Sequence, residues 1–239
     1  MNVAVIFAGG VGTRMGKTDK PKQFIEISGK PIIIHTLEHF EKNKNIDSII
    51  IASKAEWIDY LNDLLKKYNI TKVKKVVPGG ETGQMSIFNG VKCAKEMYDD
   101  DTIVLIHDGV RPFITQELID TNIENVKKKG SAISSVYSTE TEVLIEENND
   151  VKSVIKRSES LIAKAPQSFY LKDIYDVHIK AQQDGVTNSI DSCTLMNQYN
   201  RPLSVVLTDY DNIKITTIKD IALAESIYER RKNEEKTNV

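Results

Sequence analysis

The chain opens with an apolar, β-branched run at residues 3–8 that ends at Gly9-Gly10, as expected of a strand buried on both faces that feeds a loop. Helical spacing follows at Ile33, Ile34, Leu37 and Phe40, then a β-branched run at Ile49, Ile50 and Ile51. Trp57, Leu61, Leu64 and Leu65 mark the next helix, ahead of a strand from Val73 to Val77. A Pro78-Gly79-Gly80 turn leads into a helix over 84–98 and a strand from Thr102 to Ile106. Strands alternating with helices in this way predict an α/β fold on a doubly wound, mainly parallel sheet.

The alternation breaks at 132–169. Ile133 to Val136, Glu142 to Ile145 and Val151 to Ile155 have strand character, and Glu146-Glu147-Asn148-Asn149-Asp150 is a polar turn between the last two. The pattern predicts a β-arm, about 135–160, projecting from the sheet. A two-stranded ribbon is marginal alone in water, so the arm is expected to pack on a second subunit and make a homodimer. Further on, Leu203 to Leu207 predicts a strand, Ile213 to Thr216 a short one, and 218–231 a terminal helix with Ile221, Ala224, Ile227 and Tyr228 on one face. The tail from Lys232 is polar and expected to fray. Without a linker or internal repeat, 1–239 reads as one domain.

Composition narrows the function classes. Of 239 residues 40% are hydrophobic, enough for a buried core, and the net charge of −2 leaves no broad basic field for nucleic acid. Cys93 and Cys193 stand far apart, outside metal-ligand spacing, which fits a reducing compartment. The amino terminus shows no secretory pattern and no segment is long and apolar enough to span a membrane, so a cytoplasmic location is expected. His35, His39, His107 and His178 are scattered without triad or metal spacing and are given no catalytic role.

The most informative segment is Gly9-Gly10-Val11-Gly12-Thr13-Arg14-Met15 with Pro21-Lys22-Gln23. Glycines let backbone N–H groups approach phosphate oxygens, and Arg14 and Lys22 bring fixed positive charge. A dinucleotide fingerprint would need glycine at Met15, and a P-loop ending in Gly16-Lys17-Thr18 would need glycine at Val11. Neither hydride transfer nor P-loop hydrolysis is therefore supported. The plainer alternative is a tight strand-to-helix turn with solvated charges. Gly79, Gly80 and Ser86 form a loop entering a helix, suited either to reading a base and ribose or to simple capping. Asp108 follows an apolar strand, at the end where open α/β sheets bind ligands.

The glycine loop ending in Pro21-Lys22-Gln23 resembles the signature of CDP-alcohol cytidylyltransferases, the methylerythritol-phosphate and ribitol-5-phosphate enzymes. Further segments match in order: Gly79-Gly80 with Ser86 and Asn89-Gly90, His107-Asp108 with Arg111-Pro112, Ala165-Pro166-Gln167 with Phe169, and Asp211-Asn212-Ile213-Lys214-Ile215-Thr216. The resemblance implies a nucleotide-diphospho-sugar transferase-like fold and transfer of CMP from CTP to a polyol phosphate, with Mg2+ and release of pyrophosphate. It implies that Ala8, Gly9, Gly10, Gly12, Thr13, Gly79, Gly80, Ser86 and Asp108 bind the nucleotide, and that Arg14, Lys22 and Lys214 are catalytic. Asp108 would also help hold the metal, with Asp211 a second candidate, while Arg111 reads as a structural anchor. Arg157, on the arm, would grip the acceptor phosphate in a partner subunit's site.

Three positions depart from the family pattern: Gly83 stands where an arginine is usual, and Ala165 and Ile190 replace two acceptor-side threonines. The segments Pro31–Glu38 and His107–Thr115, with Trp57, look more like the ribitol-phosphate enzymes, so ribitol 5-phosphate is the favoured acceptor. Methylerythritol phosphate and a glycerol phosphate are the alternatives. Two readings from outside this branch are an inactive nucleotide-binding homologue and a nucleotidyltransferase for a hexose 1-phosphate.

Overall fold

The computed structural model describes residues 1–9 and 20–237. Strand β1 (Asn2–Ala8) is followed by a 3-10 turn at Lys22–Phe24, the small hairpin β2 (Glu26–Ile27) and β3 (Lys30–Pro31), and helix α1 (Ile32–Lys42). Next come β4 (Ser48–Ser53), α2 (Ile58–Lys67), β5 (Val73–Pro78), α3 (Gly83–Met97), β6 (Ile103–Asp108) and α4 (Gln116–Lys129). The second half holds β7 (Ser131–Tyr137), β8 (Val143–Ile145), β9 (Val151–Val154), β10 (Leu161–Tyr170), α5 (Leu171–Gln183), α6 (Ser192–Gln198), β11 (Val205–Leu207) and α7 (Ile218–Thr237).

Seven strands form one sheet in the order β11-β7-β10-β6-β1-β4-β5. All pairings are parallel except those of β10, which runs antiparallel to β6 and β7. Alternation along β1 shows why helices cover both faces. Ala4 and Ile6 pack with Leu37, Phe40 and Leu105 on one side, and Val3 and Val5 pack with Val91, Val104 and Phe169 on the other. A third cluster joins Ile27, Ile32, Val110 and Phe113 to Ile215, Ala224 and Ile227. Gly90 lies where a Cβ would come within 2.6 Å of Val5, so α3 presses its backbone against the sheet.

Several expectations are corrected. Ile133 to Val136 belongs to β7 in the buried sheet, so the arm proper is the β8–β9 ribbon. Strand β10 did not show in the pattern because Lys164 and Pro166 interrupt it; the register shifts between Ala163 and Gln167, which lets a proline sit inside a central sheet. Residues 213–216 form no strand. Instead Ile215 N donates to Val110 O at 2.9 Å, docking the segment on a turn that offers no ladder, while Ile215 is fully buried. Helix α7 continues through the tail expected to fray. Among the described residues no helix is long and apolar enough to cross a membrane.

Candidate active site

The carboxyl ends of β1, β5 and β6 bring the expected residues together. Beyond Ala8, a Cβ on Gly9 would lie 2.9 Å from Ser86 Oγ, and one on Gly79 would lie 3.0 Å from the same atom. Only glycines let two separate loops close on the first turn of α3. The Ser86 hydroxyl accepts from Gly80 N at 3.1 Å and donates to Thr82 O at 3.0 Å, and Thr82 caps α3 by accepting from Met85 N. Gln23 is buried and donates to Ala8 O at 2.6 Å, which fixes the Lys22–Phe24 turn against the end of β1. Lys22 is the first residue of that turn. Gly10, Gly12, Thr13 and Arg14 lie outside the described residues.

Asp108, the last residue of β6, is the electrostatic centre. Arg111 Nε donates to its Oδ2 at 2.7 Å, and Lys214 Nζ lies 2.5 Å from Oδ1. Burial opposes ionisation of Asp108, but Arg111 and then Lys214 outweigh it and hold the carboxyl well below the usual carboxylate range. Arg111 also donates to Asn212 O at 2.9 Å, so the anchoring role expected for it is what the geometry displays. Lys214 sits with Nζ 5.6 Å from the centre of the Phe7 ring. His107 packs edge-on against Phe40, and burial pushes it down to about 4, so it is a neutral core residue.

A cleft of 190 Å³ opens beside this cluster, lined among others by Asp108, Lys214, Ala165 and Ile190. Ala165 is buried in its wall, while Ile190 is 92% exposed at its mouth. Next to Ile190, Asp191 caps α6 by accepting from Thr194 N and also accepts from Gln167 Nε2 at 2.9 Å. Two residues without an assigned role prove central to this wall. Gln84 is buried, donates to Val186 O at 2.7 Å and accepts from Ser189 N at 2.6 Å, so it sets the loop that carries Ile190. Lys164 lines the cleft and donates to Tyr210 O at 3.1 Å; burial and then Arg111 lower its pKa. Neither had a local signal, because each role depends on a partner more than 40 positions away.

Two expected residues lie apart from the cleft. Asp211 is held by Arg230 and Arg231 of α7, the latter at 3.3 Å. Arg157 is on the arm, where it donates to Thr141 Oγ1 at 3.2 Å, and it does not line the cleft. The departing position Gly83 has open space where a side chain would begin.

The sequence-family model described as IspD, 2-C-methyl-D-erythritol 4-phosphate cytidylyltransferase, matches residues 2–230. A ribitol-5-phosphate cytidylyltransferase of Vibrio parahaemolyticus is 54% identical over 233 residues, covering 98% of both chains. One of Streptococcus agalactiae serotype V is 52% identical over 235 residues, again covering 98% of both. Among solved structures, 4-diphosphocytidyl-2C-methyl-D-erythritol synthase of Anaerococcus prevotii superposes with a TM-score of 0.81 at 30% identity, covering 95% of this chain and 96% of that one. The 2-C-methyl-D-erythritol 4-phosphate cytidylyltransferase of Francisella tularensis gives 0.77 at 27% identity, covering 93% and 97%. The full-length family match, the curated relatives above 50% identity and the structural likeness agree: the chain belongs to the 2-C-methyl-D-erythritol 4-phosphate cytidylyltransferase family and is a nucleotidyltransferase.

Proposed function

We propose that this enzyme transfers CMP from CTP to ribitol 5-phosphate, giving CDP-ribitol and pyrophosphate. The observation that carries the acceptor assignment is identity above 50% over 98% of the chain to ribitol-5-phosphate cytidylyltransferases. The acceptor's phosphate is an anion near neutral pH, so one of its oxygens attacks the α-phosphorus of CTP without a side-chain base. The bond from that phosphorus to the bridging oxygen breaks, and pyrophosphate leaves with the electron pair. The protein's tasks are then positioning and charge neutralisation.

In this reading the backbone at Ala8-Gly9 and at Gly79-Gly80, with Ser86, seats the nucleotide, and Gly10, Gly12, Thr13 and Arg14 complete the loop. Lys22 and Lys214 flank the phosphates, and Arg111 orients Asp108. Ala165 and Ile190 shape an acceptor wall with less hydroxyl character than threonines would give. Among the described residues no group of three or more His, Cys, Asp or Glu could hold a metal ion. Asp108 lines the cleft with its oxygens held by Arg111 and Lys214, so it would serve Mg2+ only where Lys214 turned to the substrate phosphates that complete the ion's shell. Bound there, it would neutralise triphosphate charge. Asp211, which does not line the cleft and is held by Arg230 and Arg231, is assigned to fixing α7 instead.

Pyrophosphate release with CTP and a panel of polyol phosphates tests the acceptor: ribitol 5-phosphate is expected to give the highest kcat/KM. A higher value with 2-C-methyl-D-erythritol 4-phosphate would replace this reading by the isoprenoid one. Dimerisation through the arm belongs to the same proposal, because Val143, Leu144, Ile145, Val151 and Val154 are all exposed on a ribbon of a kind that is marginal alone. It would carry Arg157 to the neighbouring site. Sedimentation should show a dimer for the native chain and a monomer for Val154→Asp with lost activity; a monomeric, fully active native enzyme would rule the shared site out. A cytoplasmic location, where CTP is available, completes the proposal.

A further inference from the structure

A second cleft, of 300 Å³, opens between α1, the Pro112-Phe113 turn and the carboxyl half of α7. It shares no lining residue with the cleft at Asp108. Lys30, Lys42, Arg231 and Lys232 line it against one carboxylate, Glu38, which Lys30 already neutralises at 2.6 Å. Lys42 and Lys232 have no carboxylate within ion-pair distance among the described residues. Burial, then the charges of Arg231 and Lys42, push His39 on this wall down to about 4.

Arg231 links the cleft to the active site. Its Nη1 donates to Phe113 O at 3.2 Å, and its Nε and Nη2 both lie 3.3 Å from Asp211 Oδ2. Asp211 begins the short segment that ends at Lys214, whose Nζ meets Asp108. Arg230 also holds Asp211, so that carboxylate keeps a cation when Arg231 turns away. A guanidinium fork flanked by two ammonium groups that have no carboxylate partner among the described residues matches a doubly charged tetrahedral oxyanion better than a carboxylate. We propose that this cleft binds a small phosphate-type anion, and that occupancy draws Arg231 from Asp211, loosens the segment carrying Lys214 and slows turnover.

The test uses the full-length enzyme with inorganic phosphate and, separately, phenyl phosphate. The imidazole resonances of His39 report binding, and turnover is followed at saturating CTP and acceptor. Both anions are expected to shift the His39 signals and to lower turnover. In a Lys42→Gln/Lys232→Gln variant basal turnover is unchanged and the midpoint rises roughly tenfold or more. Equal midpoints for the two anions assign the site to the phosphate group alone; a lower one for phenyl phosphate assigns it to a phosphate ester resting on Phe113 and Tyr228. No His39 response, or an unaltered midpoint in the double variant, overturns the site. A His39 response with unchanged turnover overturns the link through Arg231. Because the His39 signal needs no acceptor, this outcome is separable from the acceptor assignment.

Discussion

Replacing Lys214 by alanine is expected to lower kcat by roughly 10²–10³-fold while equilibrium binding of CTP weakens far less. The expectation follows from placement. Lys214 extends from an irregular segment, anchored by buried Ile215 on one side and by the Arg111–Asn212 hydrogen bond on the other, so its ammonium is held at the mouth of β6. A cation fixed there is poised for charge that grows on the phosphates during transfer, and an interaction made mainly in the transition state appears in kcat. The fold should tolerate the change, because Arg111 still pairs with Asp108 at 2.7 Å. Steady-state kinetics beside calorimetric CTP binding decides. A native kcat with weakened binding would show that Lys214 serves ground-state affinity and would remove it from the catalytic assignment.

Acidification from pH 7 to pH 5 is expected to cost stability on the order of 5 kcal/mol, enough to unfold much of a marginally stable enzyme. His39, His107 and His178 are each pushed down to about 4, chiefly by burial. Neither ring nitrogen of His178 has a hydrogen-bond partner among the described residues, and its ring lies 5.5 Å from that of Phe88. The folded state thus favours neutral imidazoles, whereas the unfolded chain takes up protons near the ordinary value of about 6.5. Their contribution is complete above that value and is lost as pH falls toward 4, since the unfolded state then binds more protons. Urea unfolding across this range should show uptake approaching three protons, reduced by about one in His178→Leu. Stability that stays level from pH 7 to pH 5 would mean that these rings are solvated or charged in the native state.

Where the chain's own periodicity carried the signal, the architecture was legible. β1, β4 and β6 are β-branched runs without a polar face, and such runs need helices on both sides to be buried. The cradle glycines were legible too, since Gly9, Gly79 and Gly80 flank strand ends, and only a missing Cβ lets Gly9 and Gly79 come so close to Ser86 and Gly80 so close to Met85. Strand β10 was hidden by Pro166 and Lys164, and α5 and α6 by a polar stretch whose buried positions are spread among charges. Arg111 could be placed as an anchor from its neighbourhood; its partners could not.

By itself the sequence determined the doubly wound sheet and the glycine-rich strand ends, because these follow from local period and local backbone freedom, while the charges expected to serve them, Lys214 above all, were named through the resemblance to a family. Only the tertiary structure decided how those charges pair. Asp108 and Lys214 are 106 positions apart and Gln84 and Ser189 are 105 apart, and nothing local fixes which cation meets which carboxylate or which amide holds which loop. Such pairings are set by the crossing of β6, α3 and the segment before α7, where long-range packing brings distant side chains within hydrogen-bond reach.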